Sequence, residues 1–200
     1  MYYTKSLGRK IADILLCGGV GVMPTDTIYG IVGSALNRKA VGRIYKLRLR
    51  NPKKPMIILI GSIADLKIFG MKTDARTRKI LNRFWPGKVS FVLPCLSRKF
   101  GYLHRGTETL AFRFPKPYWL RRLLADVGPL VAPSVNREGD PPAKTIKEAK
   151  KYFGPVRGRE GSKRASASNG IDFYLDGGRI VSRPSKLVKI ERGKEVILRK

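Results

Sequence analysis

One histidine, two cysteines and 14 acidic residues are all that this 200-residue chain offers of those types, and each shortage closes off a class of chemistry. With His104 alone and Cys17 and Cys95 far apart, a structural or catalytic zinc site has no ligand set. A Ser-His-Asp triad would have to use His104, and no elbow motif surrounds any serine. Acidic residues are too few and too scattered for paired catalytic carboxylates. No Gly-x-x-x-x-Gly-Lys-Ser/Thr occurs, so a nucleotide site here is not a P-loop. Gly18-Gly19-Val20-Gly21 precedes its strand, which is the wrong side for a dinucleotide fingerprint. No apolar run approaches transmembrane length. Lys5, Arg9 and Lys10 ahead of residues 11–23 imitate a signal peptide, but Asp13 and three glycines interrupt the run and no small-x-small cleavage site follows. Both cysteines lie in apolar stretches, which predicts two buried thiols, a reducing compartment and a cytoplasmic protein without a membrane partner.

Positive charge is what the chain has in excess. Forty-two Lys and Arg against the 14 acids leave a net charge of +28, a balance that attracts polyanions such as nucleic acid or phosphorylated substrates. From Thr27 to Ala64 there is no acidic residue. A hydrophobic content of 42% over 200 residues suits one domain with a sizeable core.

Leu7, Ile11, Ile14 and Leu15 recur at helical spacing until Gly18-Gly19 stops the helix, and residues 20–24 read as a strand. Asn37 can cap a helix carrying Val41, Ile44 and Tyr45. Residues 56–60 are uniformly apolar, as in a strand covered on both faces. Helices follow from Ser62 and over 73–84, then a strand over 89–94 and a basic loop over 97–107 that puts His104 at the surface. A strand over 110–114, a helix over 118–127, a buried strand over 128–132 and a capping box at Thr145–Glu148 continue the pattern. Near the end, 158–170 reads as a flexible basic loop. Residues 172–176 and 186–190 read as strands, and Arg192-Gly193 turns a hairpin into 195–198. Strands alternating with helices predict an α/β sheet.

The stretch Pro133-Ser134-Val135-Asn136-Arg137-Glu138-Gly139-Asp140-Pro141-Pro142 follows a strand, at the end where open α/β sheets place ligands. The same residues also make an ordinary polar turn. After the exclusions, the chemistry left is a site of Arg, Lys, Thr, Ser and Asn. Such a site suits a nucleotidyl transfer in which positioning and electrostatics supply most of the catalysis.

The string Pro24-Thr25-Asp26-Thr27-Ile28-Tyr29-Gly30 resembles the signature of YrdC/TsaC-type threonylcarbamoyl-AMP synthases. In the same order follow Tyr45-Lys46-Leu47-Arg48-Leu49-Arg50, Lys54-Pro55-Met56, Arg83-Phe84-Trp85-Pro86-Gly87 and Leu110-Ala111-Phe112-Arg113-Phe114-Pro115. Pro133-Ser134-Val135-Asn136, Asp176-Gly177-Gly178 and Pro184-Ser185-Lys186-Leu187-Val188 complete the set. The resemblance implies a single domain over 1–200, without the additional C-terminal domain of longer members. It implies a twisted open mixed α/β sheet flanked by helices, with a basic concave face. It further implies an enzyme that condenses L-threonine, bicarbonate and ATP to threonylcarbamoyl-adenylate with release of pyrophosphate. A partner threonylcarbamoyl transferase would then act on adenosine 37 of tRNA. Two other readings stand beside it: a YrdC-like RNA-binding protein without synthase activity, and a carbamoyltransferase of the hydrogenase-maturation type.

By the same resemblance Arg48, Arg50, Ser134 and Asn136 are the catalytic residues. Those four with Arg113 and Ser185 would bind ATP, and Thr25, Thr27, Tyr29 and Ser185 would form the threonine pocket. Magnesium is expected with ATP, held by phosphates and water and by no protein ligand. The family pattern reads Lys-x-Arg followed by proline. Here Arg48 stands in the lysine position and Asn51 in the proline's, replacing a compact ammonium by a planar fork. Residues 97–105 and 158–170 are the segments expected to hold RNA without regard to sequence.

Overall fold

The computed structural model describes residues 5–156, 170–191 and 194–200. Helix α1 (Lys5–Leu16) buries Ile11 and Leu15, and the chain turns at Gly18, where a positive φ of 79° suits glycine. Strands β1 (Val20–Pro24) and β2 (Tyr29–Ser34) form an antiparallel pair. The side chain of Asn37 caps α2 (Arg38–Arg48) by accepting from the Ala40 amide at 3.0 Å. Strand β3 (Ile57–Leu59), a 3-10 helix (Ile63–Phe69), α3 (Ala75–Phe84) and β4 (Val89–Pro94) follow. Then come α4 (Gly101–His104), β5 (Thr109–Arg113), α5 (Tyr118–Val127), β6 (Leu130–Val131) and α6 (Ile146–Phe153). Strands β7 (Phe173–Tyr174), β8 (Lys186–Glu191) and β9 (Lys194–Arg199) end the described chain.

The described strands form one mixed sheet in the order β7-β1-β2-β6-β3-β5-β4-β8-β9. Pairs β1/β7, β3/β5 and β4/β8 are parallel and the rest antiparallel. Alternation along each strand sends neighbours to opposite faces. Ile58, Phe91 and Phe112 enter one core with residues of α2, α3, α4 and α6. Leu59 enters the other, beneath α1 and α5, with Met23, Val32, Leu130 and Phe173. In register, Ala111 pairs with Ile57 and Arg113 with Leu59, so both face the α1 and α5 side. Those two helices pack on the face over β1, β2, β3, β6 and β7, and beside them Ile57, Ala111, Arg113 and Leu187, with residues 25–30, line a cleft.

Several expectations change. Cys95 is buried but Cys17 is exposed, because it follows the last turn of α1 rather than lying on its apolar stripe. His104 is buried: residues 98–104 wind into a 3-10 turn and α4, which pull Phe100 and Leu103 into the core. Of 172–176 only β7 pairs as a strand, and Ile57 is half-buried beside the cleft rather than covered. Trp85 packs edge-on against Phe91 and donates its Nε1 to the Val89 carbonyl at 2.7 Å. The basic loop expected at 158–170 lies outside the described residues except for Gly170, as does the turn at Arg192-Gly193. Among the described residues no helix is long and apolar enough to cross a membrane.

Candidate functional site

Arg48 occupies the last turn of α2, on the inward face with Ile44 and Tyr45. Leu49 then adopts a left-handed conformation, and the chain closes with the Leu49 and Arg50 amides donating to Lys46 and Tyr45 carbonyls. The turn aims Arg48 across at the 133–142 loop. Only 3% exposed, Arg48 donates from Nε to the Asn136 carbonyl at 3.1 Å. Its Nη2 donates to Ser134 Oγ at 3.2 Å and Asn136 Oδ1 at 2.9 Å. Its Nη1 is buried with no partner among the described residues. Burial foremost, then the Arg50 charge, presses the Arg48 pKa down to about 10, so the group stays cationic at neutral pH. Arg50 is held by the carbonyls of Lys54 at 3.1 Å and Pro55 at 2.8 Å.

The facing loop is built around Asn136. Both hydrogens of its amide are used inside the loop, on the carbonyls of Arg137 and Asp140 at 2.8 Å each, and its Oδ1 also accepts from Ser134 Oγ at 2.7 Å. Asn136 thus places Ser134 and Arg48 and has no amide hydrogen left for a ligand.

Glu138 clamps the loop to the segment after α2. Its amide donates to the Arg48 carbonyl at 2.8 Å, Oε1 meets Lys54 Nζ at 2.7 Å, and Oε2 accepts from the Asn51 amide. A proline at 51, as in the family pattern, has no N–H for this bond. The bond to Lys54, and then that from Asn51, holds the Glu138 carboxyl below its usual 4.5. A depressed carboxylate pKa contributes stability above the unfolded value and loses it as pH falls through the folded one. The melting-temperature gap between wild type and Glu138→Gln is therefore expected to be open at pH 7 and to close below about pH 4.5. A gap constant with pH would show that the carboxylate charge does not carry the clamp.

Thr25 organises the turn between β1 and β2. Its Oγ1 donates to the Ile28 carbonyl at 2.7 Å, accepts from the Thr27 amide at 3.2 Å and lies 3.2 Å from the Thr27 hydroxyl. Arg113 reaches this turn from β5, with Nη2 at 3.4 Å from Thr25 Oγ1 and 2.9 Å from Asp26 Oδ1. Tyr29 uses its hydroxyl inside the fold, donating to the Gly178 carbonyl at 2.7 Å and accepting from the Gly177 amide at 2.8 Å. Gly177 can come this close because it has no side chain: a Cβ there would lie 2.8 Å from Pro24. Ser185 shares a hydrogen with the buried Ser90 at 2.8 Å, and its carbonyl accepts from Arg199 Nη2 at 2.9 Å.

These elements converge. Thr25, Thr27, Tyr29, Arg48, Arg50, Arg113, Ser134 and Ser185 line one cleft of about 200 Å³, joined by Arg199, with apolar walls from Ile57, Ala111 and Leu187. Asn136 stands behind it. Among the described residues no carboxylate lines this cleft, and no group of three His, Cys, Asp or Glu could hold a metal. A lining of guanidinium and hydroxyl groups does not fit a divalent cation held by protein oxygens; it fits an anion. Two roomier grooves of about 740 and 720 Å³ flank residues 70–73 and contain none of these residues. Sequence reasoning missed Arg199, Ser90 and Asp26. Asp26 stands inside the recognised Pro24–Gly30 string and was open to notice. Arg199 and Ser90 carry no local signal, since the sheet order alone brings β9 and β4 here.

The family model for Sua5, YciO and YrdC proteins, described as "Telomere recombination", matches residues 13–200. The chain is 32% identical over 155 residues to the threonylcarbamoyl-AMP synthase of Bacillus subtilis, covering 74% of this chain and 44% of that protein. It is 30% identical over 182 residues to the threonylcarbamoyl-AMP synthase of Thiobacillus denitrificans, covering 88% and 87%. The crystal structure of Pyrococcus abyssi Sua5 complexed with L-threonine superposes with a TM-score of 0.81 at 26% identity, over all of this chain and 55% of the other. The chain thus spans less than half the length of the Bacillus relative and about half that of the Pyrococcus one.

Proposed function

Because the chain belongs to the Sua5/YciO/YrdC family, we propose that it is a threonylcarbamoyl-AMP synthase, acting on L-threonine, bicarbonate and ATP. The observation that carries this reading is the convergence of four arginines and five hydroxyl side chains in one cleft that among the described residues no carboxylate lines. The naming of the Bacillus and Thiobacillus relatives favours it over an RNA-binding protein without activity.

In this proposal the threonine amine and bicarbonate combine, with loss of water, to a carbamate. A carbamate oxygen attacks the α-phosphorus, the bond to the β-phosphate bridging oxygen breaks, and pyrophosphate leaves with that electron pair. A carbamate is a weak nucleophile and the nucleotide is highly anionic, so the residues must neutralise phosphate charge and align the reactants. Arg48 Nη1, the Arg50 fork and Arg199 supply the cations. Ser134 and Ser185 bring hydroxyls to the nucleotide, while Thr25 and Thr27 present theirs to threonine. Tyr29 shapes the threonine end from behind by holding residues 177–178. Asn136 acts through Ser134 and Arg48. Magnesium, when bound with the nucleotide, would be held by its phosphates and water rather than by these residues and would neutralise phosphate charge. Transfer to tRNA by a partner transferase, and direct RNA contact by exposed Arg98 and Lys99, belong to the same proposal.

The test is pyrophosphate release by the purified protein, with threonine or bicarbonate omitted in turn. Release that needs both is expected. Release indifferent to both would reduce the protein to a phosphohydrolase. No release from folded protein that still binds RNA in a salt-dependent way would favour the RNA-binding reading.

A further inference from the structure

A carboxylate, Asp26, stands at the back of the arginine cleft. The Asp26 side chain is 2% exposed and the Arg113 side chain 4%, and they meet at 2.9 Å. Arg113 lines the cleft; Asp26 lies behind it. The pair is poorly satisfied by its surroundings. Asp26 Oδ2 and Arg113 Nε are buried without a hydrogen-bond partner among the described residues, an arrangement that is costly unless something else completes it. Burial foremost makes the Arg113 cation harder to keep, Asp26 opposes that, and the like charge of Arg199 from β9 adds a smaller push in the same direction as burial. Burial pushes the Asp26 carboxyl above its usual range, and the charge of Arg113 foremost, with a smaller part from Lys88, works against that. Arg113 therefore sits beside Arg199 in a small cleft, and Asp26 is its counter-ion.

We propose that Asp26 is a positioning residue for the cleft: its carboxylate, 2.9 Å from Nη2, holds Arg113 aimed as an anion receptor. An incoming carboxylate or phosphate then meets a guanidinium that needs no reorganisation. The inference rests on the cleft being the anion site of the proposed reaction, and not on which substrate supplies the anion. It also has a sign that a purely electrostatic role lacks. If Asp26 only damped the positive field, removing its charge would tighten anion binding. If it positions Arg113, removing the charge loosens binding even though the cleft becomes more positive.

Calorimetric titration with ATP, L-threonine and pyrophosphate, each alone, separates the two. Arg113→Gln identifies which of the three depend on Arg113. Asp26→Asn is expected to weaken those same ligands at least tenfold and to leave any others within about twofold. In the Arg113→Gln background Asp26→Asn should weaken them no further. Tighter or unchanged binding by Asp26→Asn, or equal losses with and without Arg113, overturns the proposal. Should Asp26→Asn fail to fold, Asp26→Glu carries the same test. It keeps the charge and moves it by one methylene, so positioning predicts weaker binding only where Arg113 is present. Wild type that binds ATP and pyrophosphate but not threonine would remove the synthase reading and leave Asp26 to be judged as above. Folded wild type that binds none of the three overturns both.

Discussion

Arg48→Ala is expected to lose turnover by on the order of 10²–10³-fold, the usual effect of deleting one preorganised donor to developing charge. It is also expected to melt roughly 5–15 °C lower. The second effect follows from burial. Arg48 is 3% exposed and bonds the Asn136 carbonyl, Ser134 Oγ and Asn136 Oδ1. Truncation leaves a cavity and an unpaired carbonyl, together about 2–4 kcal/mol, and a chain of this length loses about 2–4 °C per kcal/mol. Arg48→Lys separates the two roles. One ammonium cannot satisfy three acceptors spread along a planar fork, so stability should still fall, though by less. The charge stays, so turnover should remain within about tenfold of wild type, as lysine at this place in the family pattern suggests. Pyrophosphate release and thermal melting on both variants decide it. Arg48→Ala with undiminished turnover would remove Arg48 from the chemistry and leave it as a strut for the 133–142 loop.

Phe112→Ala should carry the largest stability loss, about 3–5 kcal/mol. Phe112 is fully buried on β5, with its ring 5.0 Å from that of Phe69 and its backbone in register with Phe91 on β4. Phe69 in turn packs at a tilt against Phe100, so the hole opens at the junction of the sheet, the 3-10 helix after β3 and the turn before α4. These are parts of separate elements that cannot collapse together without moving the strands. Its neighbour Arg113 projects from the opposite face into the cleft, so denaturant midpoints should shift well before binding at 25 °C does. Phe112→Leu should recover more than half the loss. A deficit below about 1 kcal/mol for the alanine variant would mean that this junction relaxes freely.

Much of the fold was legible in the chain because its signals are local. Asn37 ahead of α2, Ser62 and Thr145 ahead of their helices, and the short apolar runs of β1 and β4 are set by hydrogen bonds and residue type within a few positions. Short pairing segments were less legible. Strand β7 has two residues, and its length depends on where β1 stops accepting bonds, which residues 172–176 do not encode by themselves. His104 sat among basic residues and read as surface, yet the burial of Phe100 and Leu103 two turns around it carried it inward.

The site divides along the same line. Composition excluded zinc, triad and P-loop chemistry, and the ordered strings from Pro24 to Val188 named the residues that now share a cleft. What residue types and spacing determine is which groups are available and roughly which elements carry them. Only the sheet order decided which groups face one another. It set β9 beside β8, so that Arg199 enters a cleft begun at residue 25, and it put Asp26 behind Arg113 across 87 positions of chain. Packing of the 133–142 loop on the segment after α2 set Glu138 against the Asn51 amide, whereas the Asn136 amide is used up locally, within its own loop. Whether a polar group serves a ligand or the protein depends on which partners lie within about 3 Å, and that distance is fixed by the packing of distant segments.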